Sequence, residues 1–195
     1  MTLSLILAHP DTDSLNHALA RSILEALEEV GHTVLLHDLY AERFDPVLPA
    51  EEMRTHRSND PHVETHVREL TQADGLILLH PVWFDAPPAI LKGWVERIVR
   101  EGDAYERTAD GGFRGLLEAR AALLVTTANA PYDAVAGDAL DHFWRGFVLA
   151  AAGVETVERV HLTPVIASDL ATRRGWLEEV AERAEALFPA GGSRG

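Results

Sequence analysis

Short apolar runs alternate along the chain with longer stretches whose apolar residues recur at helical spacing. Residues 3–8, 33–36, 76–79, 121–127 and part of 157–165 are short and nearly continuous runs, the pattern of strands buried on both faces. After the first run, Leu15, Ala18, Leu19, Ile23, Ala26, Leu27 and Val30 line one face of a helix that Gly31 ends. A short polar helix is read over 51–57. Asp60 and Pro61 open another that runs to about Ala73. Pro88 suits a first helical turn, and Ile90, Leu91, Trp94, Val95, Ile98 and Val99 follow at helical spacing. Asp138 caps a helix carrying Leu140, Phe143, Trp144, Phe147 and Val148, which Gly153 closes. The last helix runs from about Asp169 to Leu187. Residues 38–48 are irregular, residues 102–119 show no clear pattern beyond a turn at Gly111 and Gly112, and the Gly-rich residues 189–195 read as a mobile tail. The order βαβαβαβαβα predicts an α/β, doubly wound parallel sheet of five strands with helices on both faces, strand order 2-1-3-4-5, in one domain over residues 1–188.

Composition narrows the function. The 195 residues carry a formal net charge of −14, which argues against a nucleic-acid or anionic-membrane surface. With no cysteine, a thiol nucleophile and a Cys-ligated cluster are both excluded, so redox chemistry requires a bound organic cofactor. The N-terminus lacks the basic and apolar regions of a signal peptide, and no run approaches the ~20 apolar residues of a membrane span. A cytoplasmic protein is expected.

In such a sheet the loops leaving the carboxyl ends of the first, third and fourth strands share one crevice. Residues 9–16, HPDTDSLN, lead into a helix N-terminus whose N–H groups favour an anion. His9, Ser14, Leu15 and Asn16 are its candidate contacts, and an ordinary capped helix start is the plain alternative, since neither a GxGxxG nor a Walker motif is present. In the second loop Trp83 and Phe84, after Pro81 and Val82, read either as core aromatics or as a pocket wall with open backbone N–H groups. The third loop, TTANAPY, supplies Thr126, Thr127, Ala128, Asn129 and Tyr132. His62 and His66 are four apart on a helix, but no third ligand is evident, so they read as a polar face and no metal is expected. Glu96 reads either as a helix glutamate near a bound ligand or as solvated or salt-bridged.

The run Pro-Val-Trp-Phe followed by Pro-Ala-Ile-Leu-Lys-Gly-Trp-Val-Glu-Arg resembles the signature loop and helix of the flavodoxin-like NAD(P)H:quinone oxidoreductases, and the resemblance extends from Leu5 to about Leu177. It implies a flavin enzyme that takes hydride from NADH or NADPH and passes two electrons, ping-pong, to a quinone-like acceptor. FMN is expected rather than FAD. By the resemblance, His9, Ser14, Leu15 and Asn16 hold the flavin phosphate. The backbone of Pro81, Val82, Trp83 and Phe84 lies along the isoalloxazine ring, Thr126, Thr127, Ala128 and Asn129 approach its pyrimidine end, and Tyr132 handles charge at the flavin O2. Several positions depart from the family pattern. Asp13 stands where better-known members have threonine, Trp83 replaces a glutamine, Phe84 a tryptophan, Ala128 and Asn129 two glycines, and Ala136 the histidine partner of the tyrosine. Asp11 and Asp13 should therefore face solvent. A homodimer is implied, and the wide apolar stripes over 88–100 and 140–151 agree with it. The same resemblance includes regulatory flavoprotein subunits of membrane ion-efflux systems, and the acidic charge also admits a flavodoxin-type electron carrier.

Overall fold

A computed structural model describes residues 1–129 and 139–191. Five parallel strands form one sheet: β1 (Thr2–Leu7), β2 (Thr33–Asp38), β3 (Gly75–Pro81), β6 (Ala121–Thr127) and β7 (Thr156–Leu162). Their order is β2-β1-β3-β6-β7, which is the expected 2-1-3-4-5 path in sheet-strand terms. The register aligns Leu7 with Leu79, Leu79 with Val125 and Pro81 with Thr127, so β1, β3 and β6 end side by side. Every residue of β3 is buried, as its continuous apolar run requires. This strand reaches Pro81, two residues past the apolar run. A proline fits there because it closes the strand instead of interrupting the ladder.

The sheet divides the core into two faces. On one, α1 (Leu15–Glu29) and α6 (Leu170–Leu187) cover Leu5, Leu7, Ile77, Leu79 and Leu123. On the other, α3 (Pro61–Gln72), α4 (Ala89–Ile98) and the helical stretch before β7 cover Ile6, Leu76, Leu78 and Leu124. The short polar helix is α2 (Ala50–Thr55), capped by a left-handed His56. Asp60 and Asp169 cap α3 and α6 by accepting from the N–H groups of His62 and Thr172.

Two features differ from the sequence expectation. Residues 102–119, patternless in sequence beyond their turn, hold β4 (Tyr105–Arg107) and β5 (Phe113–Gly115) in a small antiparallel ribbon, with Gly111 at φ +87° in the expected turn. Ribbons of three residues are too short to leave a periodic signal. The helix before β7 is not regular either. His142–Val148 is π-helical and passes into α5 (Leu149–Ala152), ended by Gly153 at φ +91°. Asp138, read as this helix's cap, and the last four residues of the C-terminal tail lie outside the described residues. Among the described residues no helix is long and apolar enough to cross a membrane.

Candidate functional site

The carboxyl ends of β1, β3 and β6 carry the three loops, and hydrogen bonds tie those loops together. Ala8 donates its N–H to the Leu79 carbonyl at 3.0 Å, and Val82 donates to the Thr127 carbonyl at 2.8 Å. The Asn16 side-chain amide donates to Thr127 Oγ1 at 3.0 Å, and Asn16 is 2% exposed. The His9 and Trp83 rings lie 6.3 Å apart. Thus residues 9–16, the 81–86 turn and the end of β6 surround one place, as the strand order requires.

The first loop is shaped by its own side chains. Asp11 N–H donates to His9 Nδ1 at 3.1 Å, and Asp13 N–H donates to Asp11 Oδ1 at 3.0 Å. Both aspartates are exposed, so their charge faces water. Ser14 caps α1: its Oγ accepts the His17 N–H. Leu15 and Asn16 then occupy the first helical turn, where N–H groups have no carbonyl four residues back. Burial holds the His9 imidazole below its ordinary pKa, with the Asp11 backbone bond opposing.

The second loop departs from its sequence reading. Trp83 and Ala86 exchange both backbone bonds, at 3.0 and 3.1 Å, around a turn in which Phe84 and Asp85 have φ of +51° and +58°. Two consecutive positive φ values are the mark of a tight primed turn, normally given to Asn and Gly. The N–H groups of Val82 and Trp83 are therefore spent inside the protein, which corrects the expectation of open N–H groups along 81–84. Those of Phe84 and Asp85 enter no hydrogen bond among the described residues. Trp83 is half-exposed and leans toward His9, while Phe84 at the tip is fully exposed. Neither is a core aromatic.

The third loop is similarly committed. Thr126 is buried, with Oγ1 2.7 Å from His161 Nδ1, so its side chain serves the β6–β7 pair. Ala128 N–H donates to the Leu162 carbonyl, Val165 N–H donates to the Ala128 carbonyl, and Asn129 Oδ1 accepts the Ile166 N–H. Tyr132 and Ala136 lie outside the described residues.

A family model described as a flavodoxin-like fold matches residues 1–187. The chain belongs to the flavodoxin-like family. A Haemophilus influenzae protein named an uncharacterized NAD(P)H oxidoreductase is 28% identical over 195 residues, covering 95% of both chains. The NAD(P)H dehydrogenase [quinone] 1 of Cavia porcellus is 32% identical over 145 residues, which span 65% of this chain and 53% of that protein. Among solved structures, a Streptococcus mutans protein superposes with a TM-score of 0.83 at 29% identity, over 95% of this chain and all of the other.

Within this flavodoxin-like frame the structure adds partners that sequence reading missed. His17 Nδ1 lies 2.9 Å from Ser14 Oγ, and its Nε2 lies 2.9 Å from Asp38 Oδ2, at the end of β2. The serine-to-histidine spacing of three on a capped helix was the available signal. His80, fully buried on β3, hydrogen-bonds the Pro81 carbonyl through Nδ1 at 2.8 Å and accepts the Trp144 indole N–H at Nε2, 3.0 Å. It ties the second loop to the π-helical segment. Glu96 pairs with Lys92 on the exposed side of α4. His62 and His66 do gain company: Glu42 Oε2 lies 3.4 and 3.0 Å from their Nε2 atoms, and His37 Nδ1 lies 3.2 Å from Glu42 Oε1. His66 Nδ1 accepts the Trp94 indole N–H at 3.0 Å, so the hydrogen of its imidazole sits on Nε2. A metal at Nε2 would have to displace it. The group is a hydrogen-bonded cluster that anchors the 38–48 connection on α3.

Proposed function

We propose that the chain is a flavin-dependent NAD(P)H oxidoreductase that passes two electrons to a quinone-like acceptor. The observation that carries this reading is the convergence of three loops at the carboxyl edge of β1, β3 and β6, held together by the Asn16–Thr127 bond and the His9–Trp83 approach. The names of the Haemophilus influenzae and Cavia porcellus relatives support it. So does the fold shared with a Bacillus anthracis FMN-dependent NADH-azoreductase, at 19% identity and a TM-score of 0.73.

The residues present fit a flavin nucleotide. The capped start of α1, with the first-turn N–H groups of Leu15 and Asn16 and the Ser14 hydroxyl, suits the phosphate. The N–H groups of Phe84 and Asp85, without a partner among the described residues, are donors for the polar edge of the ring, and Trp83 offers it apolar contact. Bound there, the flavin would accept hydride from the nicotinamide and return two electrons to the acceptor. The protein would hold the ring, orient the nicotinamide against it and exclude water. FMN is preferred to FAD, Tyr132 is retained as the residue managing charge near the ring, and nicotinamide and quinone should share one space and react in turn, ping-pong. NADH and NADPH both remain co-substrates of this reading.

The test is direct. Purified protein should show a flavin absorption spectrum or bind added FMN, and should oxidise NADH or NADPH when a quinone is supplied. Absence of binding to both FMN and FAD would refute the reading. Intersecting initial-rate lines would replace the ping-pong order with a ternary complex.

A further inference from the structure

We propose that His17, held by Asp38, orients the Ser14 hydroxyl and takes up a proton when a flavin phosphate docks on residues 9–16, a role that rests on the flavin reading above.

Asp38 fixes one end of the device. Its Oδ1 accepts the N–H groups of Tyr40 and Ala41, both at 3.1 Å, and its Oδ2 faces His17 Nε2 at 2.9 Å. Both carboxylate oxygens act as acceptors, so Nε2 carries a hydrogen in either charge state of the ring. The choice is left to Nδ1, 2.9 Å from Ser14 Oγ. When His17 is neutral, Nδ1 is a lone pair and the serine hydroxyl must donate to it. Ser14 Oγ also accepts the His17 backbone N–H, so the hydroxyl then has no hydrogen left for an anion. When His17 is protonated, Nδ1–H donates to Ser14 Oγ, and the serine hydrogen is released for another acceptor. One proton on a residue 9% exposed thereby converts Ser14 from a committed group into a donor at the loop.

The titratable and charged groups beside His17 are Asp38 on β2 and His9 on the first loop, with Asp11 acting on His9. His9 lies 6.3 Å away ring to ring, and its burial favours its neutral form, so it offers little opposing charge. Asp38 and a bound phosphate would flank the imidazolium with negative charge on both sides.

The experiment is calorimetric titration of flavin-stripped protein with FMN and with riboflavin, from about pH 6 to about pH 8, in buffers of different ionisation enthalpy. The phosphate's own second ionisation, near about pH 6, moves every variant alike, so the quantity to read is the ratio of wild-type to His17→Asn affinity. For FMN that ratio should fall as pH rises, by up to roughly tenfold per pH unit for one linked proton, and wild-type binding should take up a proton that H17N binding does not. Riboflavin, lacking the phosphate, should give a flat ratio. If H17N does not fold, Asp38→Asn tests the same link, because it keeps the Tyr40 and Ala41 bonds and removes the charge that holds the imidazolium; proton uptake should drop. A flat FMN ratio with equal proton uptake, or the same dependence for riboflavin, overturns the role of His17 and leaves the flavin reading standing. If wild type binds no flavin at any pH, both fall.

Discussion

His80 sits on β3 with no exposed surface and both ring nitrogens engaged, one giving to the Pro81 carbonyl and one receiving from Trp144. Burial is the main cause that lowers its pKa from 6.5 to about 4, against the Pro81 bond, which raises it. The folded state therefore refuses a proton that the unfolded chain accepts near its ordinary value. Stability from this residue is complete above that ordinary value, erodes as pH falls below it, and is gone below about pH 4. Between about pH 7 and about pH 5 the loss should be about 2 kcal/mol. His80→Gln, which keeps an acceptor for Trp144 but does not titrate, should lose that much less over the same interval in urea unfolding. An equal loss in both proteins would remove His80 as the cause. Glu42 works in a lower window. Its burial pushes the carboxyl up, but the bonds and charge of His37 and His66 outweigh burial and bring it to about 2. Its contribution is present above the ordinary carboxylate range and is lost as pH falls toward about 2. None of these pairings was legible in sequence. Trp144 and His80 are 64 positions apart, and periodicity reports only which face a residue occupies, not which partner meets it there.

At the scale of elements, the strands and helices that bury a whole face were legible because burial imposes a period. The run 121–127 marks β6 at its true limits, and α1, α3, α4 and α6 fall within a few residues of expectation. The β4–β5 ribbon buries little and repeats nothing, so it left no signal, whereas the helix before β7 was legible from its buried face and only its π-helical winding was not. The loops of the site were legible in composition and placement. Their backbone accounting was not, since only the folded ladder shows that Val82 and Ala128 spend their N–H groups on Thr127 and Leu162. Glycine within helices gives a paired test of element packing. A Cβ on Gly93 in α4 would lie 2.2 Å from the Pro46 carbonyl oxygen, whereas a Cβ on Gly175 in α6 would meet nothing within 4 Å. Alanine improves helix propensity at either site by about 1 kcal/mol. At Gly93 overpacking against a backbone atom should outweigh that gain, leaving Gly93→Ala destabilised by about 1–2 kcal/mol. Gly175→Ala should be stabilised by about 0.5–1 kcal/mol. Denaturant midpoints with unchanged slopes read both, and a stable G93A would mean that the 44–48 segment does not rest on α4 as described.

For the whole molecule, the remaining question is what covers the outer side of α4. A groove of about 400 Å³ lies there, and Val95, Val99, Tyr105, Phe113, Phe143 and Phe147 contribute its apolar lining. Phe113 is 39% and Phe147 55% exposed, and their rings meet edge to face at 5.7 Å. Charges at its border are of both signs, with Lys92, Glu96 and Arg107. Lys92 and Glu96 pair with each other and Arg107 with Glu101, so the border charges are compensated within the chain and an isologous contact through the apolar lining would meet no unpaired charge there. A second copy is therefore the expected occupant, even though a net charge of −14 on each chain opposes association at long range. Salt weakens that long-range repulsion, while burial of aromatic surface is not screened by it. Sedimentation should give a species of twice 21.4 kDa that persists or strengthens as salt is raised. Phe147→Glu, on an exposed position of the π-helical segment, should convert it to a single-chain species with an unchanged circular dichroism spectrum. Wild type sedimenting as a single chain would leave these aromatics without a partner copy, and an F147E protein that remains double would move the interface to another face.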